Sequence, residues 1–176
     1  MALHFHGHAI VSADGKMADP AGIIPSVLRH AADRERFLAA LDRAKLVVIG
    51  RIAHERYPNI GRRRLVVTRR VNTVAADPTD SLATLWNPEG TALDEILARL
   101  GIAAGTIAIT GLFDLFLDHF TAFDLAEMNS VVLAGGTPCF SAGHPRSVLA
   151  GQGLVVAQFE VLDAQAGLTL TRWTKL

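Results

Sequence analysis

Apolar residues follow two patterns that alternate along this chain. Short apolar runs, such as residues 46–49, predict strands that are covered on both faces. Between such runs, apolar side chains cluster on one helical face, as at Phe37, Leu38 and Leu41, with charged residues opposite. We predict strands over residues 3–12, 46–49, 64–68, 106–110, 123–128, 130–133, 154–162 and 168–173, and helices over residues 33–43, 52–56, 91–100 and 111–117.

This order of elements predicts an α/β fold. Strands separated by helices form βαβ units, which gives a mostly parallel central sheet with helices on both faces. The last two strands, joined around residues 163–167, predict an antiparallel hairpin at the carboxyl terminus. We expect Thr91 to cap the helix that ends before Gly101. No linker or repeat is visible, so we expect a single domain over residues 1–176.

Composition narrows the function classes. The 176 residues include 17 basic and 17 acidic side chains, and this neutral chain is not typical of a protein that binds nucleic acid or an anionic membrane. No apolar run reaches the roughly 18 residues of a membrane span. The single cysteine, Cys139, and the lack of a signal peptide pattern favour a reducing, cytoplasmic location. The positive mean hydropathy, +0.30, favours a subunit interface as well as a buried sheet.

Ligands of such sheets bind outside the carboxyl ends of the strands, and three of these ends carry groups suited to phosphate. Gly50 and Arg51 follow one strand and start a helix, where free N–H groups bind anions. Thr68 and Arg69 offer a hydroxyl and a guanidinium group, while Arg70 would point the other way on an extended chain. Gly111 begins a third helix. Together they suggest a dinucleotide with an extra phosphate, and NADPH is the obvious candidate.

Six stretches carry a family resemblance, in family order and over nearly the whole chain. They are SADGKMA at 12–18, DRERF at 33–37, LVVIGR at 46–51, RLVVTR at 64–69, GGTPCF at 135–140 and GLTLTRW at 167–173. On these motifs the chain resembles the dihydrofolate reductase-like family, most closely the bacterial branch related to the reductase domain of the riboflavin-biosynthesis protein RibD. The resemblance implies a three-layer α/β domain, which in this branch is usually a homodimer. It also implies hydride transfer from NADPH to a pteridine- or pyrimidine-like heterocycle.

The resemblance also assigns residues by position. The cofactor would be bound by Asp14, Gly50, Arg51, Ile52, Ala53, Thr68, Arg69, Thr110, Gly111, Leu112 and Phe113. The substrate would lie between the first strand and the first helix, near His8, Ile10, His30, Asp33 and Phe37, with His8 and Asp33 as candidate proton donors. Each assignment has a simpler interpretation: Asp14 suits a turn, and Asp33 suits the first turn of a helix.

Three departures from the family pattern support an alternative. The strand-end Gly-Gly pair is Thr110-Gly111 here, Leu112 stands where glycine is common, and Ala53 replaces a hydroxyl phosphate donor. Bulk at Leu112 would narrow the channel for the pyrophosphate. The alternative is a nucleotide- or pterin-binding protein on the same fold that does not catalyse a reaction.

A histidine-metal protein is a third hypothesis. His4, His6 and His8 lie on one face of the first strand, which is a possible set of metal ligands. No cysteine or carboxylate lies nearby in the sequence to complete the set. We therefore expect no metal site and place His8 at the substrate pocket instead, where an imidazole could relay a proton.

Overall fold

The computed structural model describes residues 2–57 and 59–176. Within these residues nine strands form one sheet in the order β10-β11-β8-β1-β7-β3-β4-β6-β5, and β2 pairs with β9 apart from it. The strands are β1 (Leu3–Ser12), β2 (Lys16–Ala18), β3 (Leu46–Gly50), β4 (Arg64–Val67), β5 (Val74–Ala76), β6 (Ala83–Trp86), β7 (Gly105–Ile109), β8 (Phe120–Met128), β9 (Thr137–Pro138), β10 (Leu154–Asp163) and β11 (Leu168–Lys175).

The middle of the sheet is parallel and its margins are antiparallel. β8, β1, β7, β3, β4 and β6 run in the same direction, whereas β5 and the β10–β11 hairpin run against their neighbours. The predicted parallel sheet and terminal hairpin are therefore confirmed. The sequence missed β5 and β6, which are short and follow a stretch of turns.

Helices cover both faces of the sheet and give the predicted three layers. The helices are α1 (Ala31–Arg43), α2 (Arg51–Arg56), α3 (Leu93–Arg99) and α4 (Pro145–Gly151), with 3-10 helices over Ser26–Leu28 and Phe113–Phe116. On one face Leu41 of α1 packs on Val47 of β3, and Ala53 of α2 packs on Ile49 of the same strand. On the opposite face α3, α4 and the second 3-10 helix bury the main core, in which Val48 lies.

Aromatic rings fill the centre of the main core. Phe113, Phe120, Phe123 and Phe140 pack with ring centroids 5.2 to 6.4 Å apart. They press directly on β1 at Gly7, where an added Cβ would lie 2.2 Å from Phe123 Cδ2. Glycine is needed at that position because the rings approach the strand backbone more closely than any side chain allows.

Several predicted elements need correction. Residues 130–133 do not form a strand, because Ala13 N donates to Val131 O and draws this segment against the turn after β1. The helix predicted over 111–117 is a 3-10 helix of four residues, Phe113–Phe116. Thr91 does not cap α3, since Ala92 occupies the N-cap position, and the carbonyl of Thr91 instead accepts from the Trp86 indole.

Among the helices of the described residues, none combines the length and the apolar character needed to cross a bilayer. Cys139 is buried, and burial raises the pKa of its thiol far above the ordinary value, so the thiol is not reactive.

Candidate functional site

The loops singled out by the sequence meet at one edge of the sheet. Gly50 pairs with Val67 and Val48 pairs with Ile109, so β3, β4 and β7 end side by side. The loop after β7 packs against the end of β3. A Cβ added to Gly50 would lie 3.5 Å from Leu112 Cδ1 of this loop. Loops after parallel strands converge in this way because all the carboxyl ends point to the same edge.

A cavity of about 470 Å³ opens at this edge beside β3, β4 and β6. Its wall combines arginine, hydroxyl and acidic groups over an apolar floor, and it is lined by Arg51, His54, Glu55, Ile60, Val66, Thr68, Arg70, Asp77, Thr79, Asp80 and Leu85. A volume of this order accommodates part of a nucleotide.

Two guanidinium groups converge on one carboxylate at this cavity. Glu55 accepts from Arg51 Nη1 at 3.0 Å and from Arg70 Nη1 at 3.2 Å. Thr68 Oγ1 accepts from the backbone N of Arg70 at 3.1 Å, which fixes the turn that brings Arg70 back to the cavity. Arg51, Thr68 and Arg70 thus present two positive charges and a hydroxyl close together, with Glu55 as their present partner.

The other side of the cavity is acidic. Asp77 accepts from the Thr79 hydroxyl at 2.7 Å and from the Thr79 backbone N at 2.8 Å, and these bonds lower the pKa of Asp77 to about 2. His54 Nε2 lies 3.2 Å from Asp77 Oδ2. An anion is therefore favoured on the Arg51–Arg70 side of the cavity and disfavoured beside Asp77.

The structure exchanges the positions expected for two adjacent arginines. The side chain of Arg69 is 85% exposed, lies 3.4 Å from Glu89 and does not line the cavity, whereas Arg70 does. The prediction assumed a strand that continues to residue 68 and keeps its alternation. β4 ends at Val67, however, and past that point the alternation of side chains no longer applies.

The loop after β7, residues 110–113, offers fewer phosphate donors than expected. Thr110 Oγ1 donates to Val48 O at 2.9 Å, so its hydroxyl is already used. Leu112 has φ 54° and ψ 40°, a left-handed conformation that costs a leucine roughly 1–2 kcal/mol. Phe113 is buried in the aromatic core, and space around Gly111 is open. On α2, Ile52 is exposed and Ala53 packs on the sheet.

Asp14 organises a turn. Ser12 Oγ donates to Asp14 Oδ1, and Leu133 N donates to the same oxygen at 2.9 Å. These two hydrogen bonds lower the pKa of Asp14, and the bond from Ser12 has the larger effect. Asp14 therefore lies in a turn, as predicted, and its carboxylate also ties this turn to Leu133, which the sequence did not indicate.

The residues predicted to bind substrate lie on α1, at its N-cap and on β1, and most of them are engaged with other residues of the protein. His30 Nδ1 accepts from Ala32 N at 3.2 Å and its Nε2 lies 2.9 Å from Asp163, so this ring caps the helix. Phe37 meets His8 edge-on, with ring centroids 5.9 Å apart. Ile10 packs on a cluster that includes the buried Leu28. None of the five lines the cavity at β3 and β4.

The two candidate proton donors differ in their electrostatics. Burial, followed by the effect of His6, lowers the pKa of His8 to about 3, so its imidazole is neutral at neutral pH. Burial raises the pKa of Asp33 above its usual value, although Arg36 donates to Asp33 Oδ1 at 2.8 Å and opposes the rise. Burial thus shifts the two pKa values in opposite directions, in each case towards the neutral form.

A buried carboxylate that the sequence pattern did not indicate lies at the centre of this face. Asp124 of β8 is fully buried, and it accepts from Arg172 Nε at 2.7 Å and from Arg36 Nη1 at 3.0 Å. Burial raises the pKa of Asp124, but the hydrogen bonds from Arg172 and its other neighbours outweigh this effect and hold the pKa well below its usual range. His8 and Arg172 flank Asp124 on the neighbouring strands. The sequence does not indicate that His8, Asp124 and Arg172 are neighbours, because the register between strands cannot be read from a sequence.

We expect Asp124→Asn to destabilise the protein by about 1–3 kcal/mol at pH 7. This is less than the cost of breaking a fully buried ion pair, because the Arg172 side chain is 40% exposed and solvent screens its charge. Since the folded-state pKa of Asp124 is lowered, its contribution is present above the unfolded pKa of about 3.9 and is lost as the pH falls below it. Urea unfolding at pH 7 and pH 3 measures this.

The control is Asp118→Asn, which changes an exposed carboxylate and should alter the free energy of unfolding by less than about 0.5 kcal/mol. An Asp124→Asn effect of the same size at both pH values would contradict the ion-pair account.

No protein-family model matches the sequence, and no curated protein matches it either. Solved structures match its fold. A protein assigned to riboflavin biosynthesis from Shewanella sp. PV-4 has a TM-score of 0.70 and 21% sequence identity, over 100% of this chain and 99% of that one. A Thermotoga maritima diaminohydroxyphosphoribosylaminopyrimidine deaminase/5-amino-6-(5-phosphoribosylamino)uracil reductase matches with a TM-score of 0.70 and 16% identity, over 99% of this chain and 57% of that one.

Acinetobacter baumannii RibD, in one of its forms, matches with a TM-score of 0.72 and 14% identity, over 99% of this chain. This chain spans only 58% of that protein's length, as it spans 57% of the Thermotoga protein. The resemblance inferred from the six motifs is thus confirmed at the level of the fold: the chain has the mostly parallel α/β fold of RibD-type riboflavin-biosynthesis proteins.

Proposed function

We propose that this protein is an NADPH-dependent reductase acting on a pteridine- or pyrimidine-like heterocycle. The observation that carries the proposal is the cavity at the carboxyl ends of β3 and β4, where Arg51, Thr68 and Arg70 converge. Two guanidinium groups and a hydroxyl match the dianionic 2′-phosphate that distinguishes NADPH from NADH. The fold places this cavity where ligands of α/β sheets bind.

The residues present fit this cofactor at one end better than at the other. Arg51, Arg70 and Thr68 would hold the 2′-phosphate, with Glu55 giving up its bonds to the two arginines. When bound, NADPH would supply the hydride, since that chemistry belongs to the nicotinamide. The protein would contribute the positioning of the two reactants and a proton, for which the raised pKa of the buried Asp33 makes this residue the better candidate.

A second candidate, a binding protein without catalysis, is favoured by the loop after β7. The Thr110 hydroxyl is bonded to β3 and Leu112 lies over Gly50, so this loop offers the pyrophosphate less room and fewer donors. The two candidates differ in one measurement, which is the oxidation of NADPH, followed by its absorbance, in the presence of reducible pteridines and pyrimidines. Binding of NADPH without oxidation favours the second candidate.

We expect Arg70→Ala to weaken NADPH binding about tenfold or more, because a charge-assisted hydrogen bond to phosphate contributes about 1.5–3 kcal/mol. NADH, which lacks the 2′-phosphate, should be little affected. A titration of each nucleotide followed by tryptophan fluorescence measures both constants. Arg69→Ala is the matched control and should leave both constants unchanged, since Arg69 points into solvent.

Equal weakening of NADPH and NADH by Arg70→Ala would place the 2′-phosphate elsewhere. Failure of the unsubstituted protein to bind either nucleotide at millimolar concentration would rule out the reductase proposal itself.

We expect Leu112→Gly to stabilise the protein by up to about 1 kcal/mol. Glycine adopts the left-handed conformation without the steric cost that leucine bears, and the greater entropy of glycine in the unfolded chain offsets part of this gain. It should also tighten NADPH binding several-fold by clearing the approach to Gly50. Leu115→Gly is the control: Leu115 is equally exposed, in the adjoining 3-10 helix, and does not have a left-handed backbone. Thermal unfolding and fluorescence titration measure the two effects, and equal destabilisation by both variants would contradict the strain at Leu112.

We also propose that the protein forms a homodimer through the outer edge of β10. This strand ends the sheet order, and Val155, Val156, Phe159 and Val161 are exposed along it. Monomeric proteins protect such edges with charged residues, proline or bulges. Residues 155–161 of β10 carry little of this protection, which consists of one acidic side chain, Glu160, and a register shift. A second copy could pair with it as a further antiparallel strand.

Val156→Lys should convert the dimer to a monomer of 18.8 kDa in light scattering coupled to size-exclusion chromatography, because a charge would be buried at the contact. Val132→Lys, at a more exposed valine in the segment after β8, should leave the dimer intact. A monomeric unsubstituted protein, or a dimer that survives Val156→Lys, would contradict a contact at β10.

A further inference from the structure

The α1-facing side of β1 and β8 brings three potential metal ligands together. His6 and His8 lie two residues apart on β1, and Asp124 lies on the adjacent β8. His6 Nε2 is 3.2 Å from Asp124 Oδ1, and His8 Nδ1 is 3.7 Å from Asp124 Oδ2. One candidate ligand atom from each of the three residues lies within 4.8 Å of the other two.

These separations suit a tetrahedral centre. Bonds of about 2.0–2.1 Å at tetrahedral angles put neighbouring ligand atoms about 3.3 Å apart. The distance from His6 Nε2 to Asp124 Oδ1, 3.2 Å, matches this value, whereas His8 Nδ1 lies 3.7 Å from the other oxygen, Oδ2. The two imidazole rings stack with centroids 4.2 Å apart, so that both nitrogens are presented to the same carboxylate.

The second observation concerns the hydrogen bonding of the two nitrogens. His6 Nε2 and His8 Nδ1 are both shielded from solvent and have no hydrogen-bond partner within the described residues, although each lies beside the Asp124 carboxylate. His8 is 4% exposed. Leaving buried polar atoms without partners costs free energy, and native proteins rarely do so without a reason such as a missing ion.

We propose that His6, His8 and Asp124 form a binding site for a divalent transition metal of the Zn²⁺ class. Two imidazole nitrogens and one carboxylate oxygen would supply three ligands, and water would complete the tetrahedron on the side of His6, which is partly exposed. Imidazole and carboxylate are ligands that Zn²⁺ and Co²⁺ accept in proteins.

Two arginines decide how tightly such an ion binds. Arg36 donates to Asp124 Oδ2 and to Asp33, while Arg172 donates to both oxygens of Asp124, at 2.7 and 2.8 Å. Donors of this kind orient a carboxylate that binds a metal. Arg172 also competes for the same lone pairs and repels a cation, and its partial exposure leaves it free to turn outward. Arg172 is therefore a competitor of the metal.

The experiment uses the full-length chain without an affinity tag, freed of metal with a chelator. Titration with Co²⁺ should give the strong visible absorption of a tetrahedral ion and saturate at one ion per chain. Zn²⁺ added afterwards should displace Co²⁺ and abolish the absorption. His6→Ala and His8→Ala should each weaken binding at least tenfold, and Arg172→Gln should tighten it.

His4→Ala is the matched control, because His4 lies on the same strand face but is exposed and outside the cluster. It should bind Co²⁺ like the unsubstituted protein. Circular dichroism checks that each variant is folded, and His6→Ala, at a partly exposed position, decides the matter if His8→Ala does not fold.

Absence of the tetrahedral absorption in the unsubstituted protein would overturn the proposal. So would a loss of binding in His4→Ala as large as that in His6→Ala, since the metal would then be held by exposed histidines. NADPH binding is measured separately and at another edge of the sheet, so neither result affects the outcome of the other.

Discussion

The compensation of one buried charge constrains this structure more than any other single interaction. Asp124 is fully buried in a central strand, and an ion taken out of water is tolerated only with close partners of opposite charge. Arg172 reaches it from the terminal hairpin and Arg36 from α1. The position of α1 and the pairing of β11 therefore both depend on the Asp124 carboxylate. The region where a substrate was expected lies between these elements.

The face of the sheet under α1 and the edge beside α2 consequently have different characters. Under α1 the polar groups are buried and engaged with one another, as in the Asp33–Arg36–Asp124 chain. At the ends of β3 and β4 the polar groups line a cavity. The ion pairs of Arg51 and Arg70 with Glu55 are between partly exposed side chains, and such pairs are weak enough for another anion to replace Glu55. The edge beside α2 therefore offers groups that an anionic ligand could contact, whereas the groups under α1 are already paired.

The loops of this chain depart from the family pattern, while its sheet keeps the shared fold. Arg51 and Thr68 stand where the family resemblance requires phosphate ligands, and the structure places both at the cavity. The loop after β7 departs from the family pattern in sequence, and it also departs in conformation, since Leu112 adopts a backbone region that glycine occupies without cost. Function on this fold depends on such loops more than on the sheet that supports them.

The sequence by itself determined the architecture. Continuous apolar runs at 46–49 and 64–67, separated by amphipathic segments, specify strands buried on both faces and hence the parallel sheet, because local hydrophobic pattern is the main determinant of secondary structure. The sequence also located the edge at which Arg51 and Thr68 meet. Only the tertiary structure decided that Arg70 rather than Arg69 faces the cavity and that Asp124 joins His6 and His8. Both depend on where a strand ends and on which strands pair, and these are set by long-range packing that no local pattern encodes.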